Sequence, residues 1–356
     1  GVMYAISSDF LQCILKEQDL LKNSRSAALV FVSVHNVAAV LSGKYEPLKL
    51  SGTPPAPPID VRNVTAGASL LTAAKVALAS VLLQCQSTLI DQELARLRQN
   101  ADVTRAEAYG ESVALYVIRA RESAESSSFG PWSLSNETGV WRPTPPSYLS
   151  AQAPSWGRHK CWCLTSADLF VIPQPFEAES SLAQYELETA RILGFQNRSA
   201  RTDEQNRVVD FWETQMMSPT ALWLRISQVL VNETSDDVDA ARMMAVIAVA
   251  VADSLIAAWK FKFEFLSWRP VSGIRALFDS SWVPAVTTPN SPDYPSETAA
   301  IAGSATAFIS TVGRSRTVII THPAGISRNF SSFTSAASEF AQSSVYSGQT
   351  VVSSVV

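Results

Sequence analysis

Apolar positions recur at three- and four-residue spacing along most of the chain, which is the period of α-helices. Residues 8–21 set Phe10, Leu11, Ile14 and Leu15 on one stripe, with Ser8 in front of them as an N-cap. Residues 26–41 are apolar all round, as a fully buried helix is. A Pro-rich linker follows, EPLKLSGTPPAPPID. Helices are then predicted over 66–86, 88–99 and 104–123, the last two opened by the capping boxes Thr88…Asp91 and Thr104…Glu107. From 124 to about 179 the period breaks in a stretch rich in Ser, Pro and Trp, the mark of a functional or surface-wrapping loop. It returns at 180–193, closed by Gly194, and at 202–216 behind Thr202…Gln205. Further helices are predicted over 219–233, 236–265, 296–312 and 332–345, and RTVIITHPAG reads as a short extended piece or hairpin. The fold class is mainly α, a helical bundle with long irregular loops and at most a short β-hairpin. It reads as a single domain over 1–356, with N-terminal helices and loop in 1–160 and a helical core with a C-terminal tail in 161–356.

Composition changes this picture in three ways. With 47% hydrophobic residues in 356, the chain has ample material for a large core. Its 28 basic and 32 acidic side chains give a net charge of −4 with no basic block, which argues against a nucleic-acid partner. The longest apolar run, residues 243–259, is shorter than the roughly 20 residues of a membrane span and carries Asp253, so it reads as a buried core helix and no span is expected.

Two features point outside the cell. Five of the ten asparagines, Asn63, Asn136, Asn197, Asn232 and Asn329, lie in N-x-S/T sequons. The cysteines, Cys13, Cys85, Cys161 and Cys163, are even in number and allow three connectivities. A Cys161–Cys163 bridge closes a strained small ring, so each is expected to pair with Cys13 or Cys85. Four thiols, or a Cys-x-Cys metal site near His159, are the alternatives. The chain also opens on Gly1 rather than Met, as a processed mature protein does. A secreted, extracellular protein with N-linked glycans is the expectation.

The candidate chemistry sits in two stretches. In KFKFEFLSWRP, Lys262 and Arg269 are seven apart, which on one helix sets both on one face about two turns apart. Two such cations suit a tetrahedral oxyanion, Arg as a planar fork and Lys as a point charge. In SPDYPSET, Pro295 and Ser296 open a helix whose free N–H groups and dipole favour an anion.

Lys-x6-Arg-Pro followed by Pro-Ser-x-x resembles the signature of the vanadium-dependent haloperoxidase and acid phosphatase (type 2 phosphatidic acid phosphatase) superfamily. That pattern is Lys-x6-Arg-Pro, then Pro-Ser-Gly-His, then Ser-Arg-x5-His. The first block stands as Lys262 to Pro270, the second as Pro295-Ser296-Glu297-Thr298, and the third falls on SSVYSGQT, residues 343–350. Segments 140–170, 201–212, 252–275 and 329–346 are also similar to the soluble, secreted-type branch, and the likeness runs from about residue 25 to 350. It implies a helical haloperoxidase-like domain across the chain.

The departures decide what else it implies. Thr298 takes the place of the acid–base histidine, Thr350 that of the histidine that bonds vanadium or attacks phosphorus, and Ser344 that of the second arginine. A neutral hydroxyl replaces an imidazole in neither role. His35, in an apolar helix, reads as a satisfied core histidine, and His159 and His322 lie in loop-like contexts. Glu297, at the family's Gly, is expected either to pair with Lys262 or Arg269 and fill the site, or to face solvent in the first helical turn. No catalytic residue is intact, no metal site is expected, and no cofactor, vanadate included, is expected to bind. What remains is a pseudoenzyme scaffold acting as an extracellular structural or assembly subunit by self-association. The alternative is an anion- or small-ligand-binding protein, or a non-halogenating enzyme, using Lys262, Arg269 and Ser296. The tail GQTVVSSVV reads as packing on its own core or fraying at the terminus, with strand addition to a neighbouring subunit as the other possibility.

Overall fold

The computed structural model describes residues 1–15, 17–58, 65–82, 85–122, 135–198, 200–213, 217–234, 236–311, 317–321 and 325–355. Twelve α-helices and one two-stranded sheet lie among them, so the mainly helical class and the short hairpin are as the pattern predicts. Five helices come first: α1 (Val2–Ile14), α2 (Leu20–Ser42), α3 (Ala66–Val81), α4 (Thr88–Asn100) and α5 (Thr104–Glu122). After the long irregular stretch come α6 (Ser181–Leu193), α7 (Asp203–Trp212), α8 (Pro219–Asn232) and α9 (Asp237–Phe265). The chain continues through α10 (Pro270–Leu277), α11 (Glu297–Thr311), the hairpin β1 (Val318–Thr321) and β2 (Ser327–Phe330), and α12 (Phe333–Tyr346). Two compact units result, one of Gly1–Glu125 with Met216–Ala252, the other of Ser126–Gln215 with Asp253–Val356. Each unit draws on two separate stretches of chain.

In the first unit α2 is buried on every side from Ala27 to Val34, as its unbroken apolar run requires, and it packs against α3, α5 and α8. The approach of α3 to α5 depends on Gly110, where a Cβ would stand 2.2 Å from the Ser69 carbonyl oxygen. The predicted helix over 8–21 is two helices. Asp19 accepts the N–H groups of Leu21 (2.9 Å) and Lys22 (3.2 Å), starting α2 afresh. Ser8 is no cap: it lies within α1 and accepts the Gln228 amide at 3.1 Å. The capping boxes of α4 and α5 are also replaced. Asp9 of α1 accepts from Leu89 (3.2 Å) and Ile90 (2.8 Å), closing the start of α4 from another helix. Asp102 accepts from Thr104 (3.0 Å), while Glu107 turns to Arg98 at 2.8 Å. The Thr202–Gln205 capping box of α7 forms as predicted.

The cysteines differ from expectation. Cys13 and Cys85 are bridged to each other, their Cα atoms 5.2 Å apart, within the range a disulfide spans. Neither Cys161 nor Cys163 takes part. Cys161 packs against Ala167, Ile256 and Ala257, and Cys163 is exposed. Among the described residues no cluster of His, Cys, Asp and Glu has metal-site geometry.

α2 and α9 are each long and apolar enough to cross a membrane by length and composition, and 83% and 78% of their apolar windows are buried within the fold. Asp253, the one charge in the apolar run, serves the irregular stretch of the second unit. Its carboxylate accepts the N–H groups of Trp162 (2.6 Å), Cys163 (2.9 Å) and Leu164 (3.1 Å), holding that loop where no helix supplies partners. Asp253→Ala strands those donors and is expected to lower stability by about 2–3 kcal/mol, read from urea unfolding, with Asp253→Asn milder.

α10 is missing from the sequence reading, which took Pro270 only as the end of a motif. Proline at N1 lacks an N–H that the first helical turn would leave unpaired anyway. Val271 and Ile274 then join Leu187, Ala190, Trp268 and Trp282 in one buried apolar cluster. In the hairpin Val318 pairs with Phe330 and Thr321 with Ser327, antiparallel.

Candidate functional site

Lys262 and Arg269 do not share a helix face. α9 ends at Phe265, the chain turns at Leu266 (φ 52°), and Arg269 sits at the N-cap of α10. The two cations meet across that turn and are 0% and 1% exposed. Between them stands Glu297, the first residue of α11, with Oε2 2.7 Å from Lys262 Nζ and Oε1 2.9 Å from Arg269 NH2. Of the two expectations for Glu297, the structure has the buried one, and with both cations at once.

Groups of the chain itself hold both cations. Lys262 Nζ also donates to the carbonyls of Pro292 (2.7 Å) and Asp293 (2.9 Å). Arg269 Nε donates to the Ser291 carbonyl (2.8 Å), NH1 to Asp293 Oδ1 (3.3 Å) and the Gln349 carbonyl (3.2 Å), and NH2 to Ser291 Oγ (2.9 Å) and Glu297. That accounts for the five N–H groups of the guanidinium; the ammonium makes two hydrogen bonds and the ion pair with Glu297 Oε2, an oxygen with no hydrogen-bond partner of its own. Burial alone would raise Glu297, but the Arg269 and Lys262 charges together outweigh it and hold the carboxyl at about 2. Burial and the neighbouring Arg269 bring Lys262 down to about 8, against the pull of Glu297. Burial raises Asp293, opposed by Arg269.

The three replaced positions come together beside this cluster. Ser296 Oγ lies 2.7 Å from Thr298 Oγ1 and accepts the Ala299 N–H at 3.3 Å, as an N-cap does. Thr298 Oγ1 reaches Ser344 Oγ at 3.5 Å, and the Gln349 and Thr350 N–H groups both point to the Ser344 carbonyl, at 3.0 and 3.3 Å. The turn between them needs Gly348: its φ is +78°, and a Cβ there would stand 2.7 Å from the Gly194 carbonyl oxygen. The residual pocket Lys262, Arg269, Ser296 and Glu297 is thus one constellation with the degenerate positions Thr298, Ser344 and Thr350.

Four contributors have no part in the sequence reading: Ser291, Asp293, Glu213 and Gln349. Asp293 lies in the same SPDYPSET stretch, so its proximity to Glu297 was available as a signal. Glu213 has none, being 130 residues from the Ser343 hydroxyl it accepts at 2.7 Å; it also accepts the Gln349 amide at 3.1 Å. Burial, with the Glu297 charge nearby, pushes Glu213 up to about 7 from its ordinary 4.5. The folded chain therefore keeps a proton that the unfolded chain releases between those values, so this group's contribution to stability falls as pH rises from 4.5 to 7. Glu213→Gln is expected to flatten that slope in urea unfolding measured across the window.

The tail packs on its own unit. Val351 N–H (3.2 Å) and Ser354 Oγ (3.1 Å) donate to Asp293 Oδ2, Ser353 N–H and Oγ donate to Glu186 at 2.7 Å each, and the Ser354 carbonyl accepts the Ser296 N–H at 2.9 Å. A short 3-10 turn, Val352–Ser354, stands where strand addition was the other possibility. His35 is buried in the first unit with Nε2 3.2 Å from the Glu46 carbonyl, and burial lowers its pKa. His159 lies against the Trp156 ring at 4.7 Å. His322 and Asn63 lie outside the described residues, as does the side chain of Asn232 at the end of α8. Asn136, Asn197 and Asn329 are exposed.

Comparison with known proteins bears on this geometry. Residues 242–285, which include Lys262 and Arg269, match the family model of the VCPO second helical-bundle domain. Over 61 residues the chain is 38% identical to the vanadium chloroperoxidase of Curvularia inaequalis; that match spans 17% of this chain and 10% of the relative's length. A bacterial vanadium-dependent iodoperoxidase structure superimposes with a TM-score of 0.86 at 22% identity, covering 99% of this chain and 92% of that one. A holo-type bacterial vanadium-dependent chloroperoxidase gives a TM-score of 0.72 at 16% identity, covering 95% of this chain and 88% of that one.

Proposed function

We propose that on this fold, that of the vanadium haloperoxidase superfamily, the chain is a non-catalytic protein whose oxyanion site is closed by its own Glu297. In this reading it works as a secreted, N-glycosylated structural or assembly subunit. The observation that carries the proposal is that groups of the chain itself hold both cations: Glu297 lies against Lys262 and Arg269, and every N–H of Arg269 is bonded. Vanadate does not fit such a site. Two carboxylate oxygens hold the space between the cations, and hydroxyls of Thr298, Ser344 and Thr350 stand where the resemblance requires two imidazoles and a guanidinium. A hydroxyl supplies neither the metal ligand nor the proton-transfer group. Function lives in the site rather than the fold, so the neighbours' activity does not transfer.

The extracellular assembly role is supported by the Cys13–Cys85 bridge, by exposed sequons at Asn136, Asn197 and Asn329, and by apolar side chains left in solvent. Val171 is 96% exposed, Tyr185 72% and Leu169 61%, surface that an assembling protein covers with a neighbour. Electron microscopy of native glycosylated material, with sedimentation alongside, tests this: regular filaments or sheets are expected. Monodisperse monomers or dimers would sink the assembly role and leave the anion-binding alternative to be decided by titration.

A further inference from the structure

We infer that Glu297 is a tethered oxyanion: its carboxylate stands in for a bound tetrahedral anion, and its removal opens a preformed oxyanion-binding site. The inference rests on the proposed closure of that site and adds what lies beneath it. Of the contacts that engage the two cations, each cation spends one on Glu297. The others go to Pro292 O, Asp293 O, Ser291 O, Ser291 Oγ, Gln349 O and Asp293 Oδ1. Five of these six acceptors are backbone carbonyls or a hydroxyl that do not depend on Glu297. Both side chains therefore keep their positions without it, held by the 291–293 turn and by the turn at Gly348.

Taking away the carboxylate frees one N–H on Arg269 and leaves the Lys262 ammonium without its 2.7 Å ion-pair partner, both beside the same vacated volume. The volume also lies at the first turn of a fifteen-residue helix, whose dipole favours an anion. A guanidinium N–H, an ammonium and a helix start around one buried volume, with two cations set against the Asp293 carboxylate, recognise an anion with several oxygens. Phosphate, sulfate and vanadate share that shape. Binding to such a variant is non-covalent, because the neighbouring side chains are the hydroxyls of Thr298 and Ser344.

The test follows the thermal midpoints of wild type, Glu297→Ala, Glu297→Gln and the double variant Glu297→Ala/Arg269→Ala against inorganic phosphate. Sulfate serves as a second tetrahedral probe and acetate as a planar one. The inference expects Glu297→Ala to melt well below wild type and to rise with phosphate and sulfate, in the saturable manner of a ligand that binds only the folded state. Wild type, whose site is filled, and Glu297→Gln, whose amide still occupies the volume, stay flat, and the double variant loses the response. If Glu297→Ala folds only when phosphate is present, the inference stands. If phosphate neither raises its midpoint nor rescues its folding, or if acetate does so equally, it fails. A wild type that itself responds saturably to phosphate or vanadate overturns the closed-site reading instead, so the two failures are told apart.

Discussion

Glu297→Gln lowers the folding free energy by about 3–5 kcal/mol, the cost of leaving a buried charge without its partner. The amide fills the same space and can still accept hydrogen bonds, so the loss measures charge rather than packing. Two cations then share the single Asp293 carboxylate in a volume that water does not reach. Lys262, already brought down to about 8, gives up its proton more readily in the variant, which limits the penalty near neutral pH. The pH dependence follows from the same pair. Glu297 titrates at about 2 when folded and at its ordinary 4.5 when unfolded, so its stabilisation is complete above 4.5 and is lost as pH falls toward 2. Wild type and Glu297→Gln therefore converge in acid and diverge on the way to neutrality, a comparison that urea unfolding at stepped pH makes directly.

Loss of the Cys13–Cys85 bridge is the second large effect. The bridged residues are 72 apart in sequence, and the chain-entropy model gives about 4 kcal/mol for closing a loop of that length. The bridge joins α1 to the segment just past α3, so without it α1 is held by packing and by hydrogen bonds such as those of Asp9 and Ser8. Cys13→Ser/Cys85→Ser, or reduction of the wild type, is expected to lower the urea midpoint strongly. Cys163→Ser, at an exposed thiol, leaves it unchanged. A midpoint that moves with Cys163→Ser and not with the double variant would reverse the assignment.

Much of this was legible in the sequence wherever a periodic stripe meets a local stop signal. The α7 capping box, the buried α2, Gly194 after α6 and the hairpin all depend on neighbours within a few residues, and all are found. The reading failed where a distant group takes over a local role. Asp9 closes α4 from another helix, and Asp253 holds a loop about ninety residues earlier in the chain. Nothing within a few residues of Thr88 or Trp162 signals either partner. The same holds at the site. Lys262, Arg269, Ser296 and Glu297 carry a recognisable spacing, and even the replaced positions fall where the pattern puts them. Glu213 and Gln349 reach the cluster only through tertiary structure, and the proximity of Lys262 to Arg269 comes from a turn between two helices rather than from one helix face.

Titration calorimetry of orthovanadate into the wild-type chain at neutral pH tests the central claim most directly. A site closed by Glu297 predicts no saturable heat, and no bromide or iodide peroxidation by the same sample with peroxide present. A one-to-one isotherm that disappears in Arg269→Ala would contradict it, because the anion would then be entering the space between Lys262 and Arg269 that the carboxylate is held to fill.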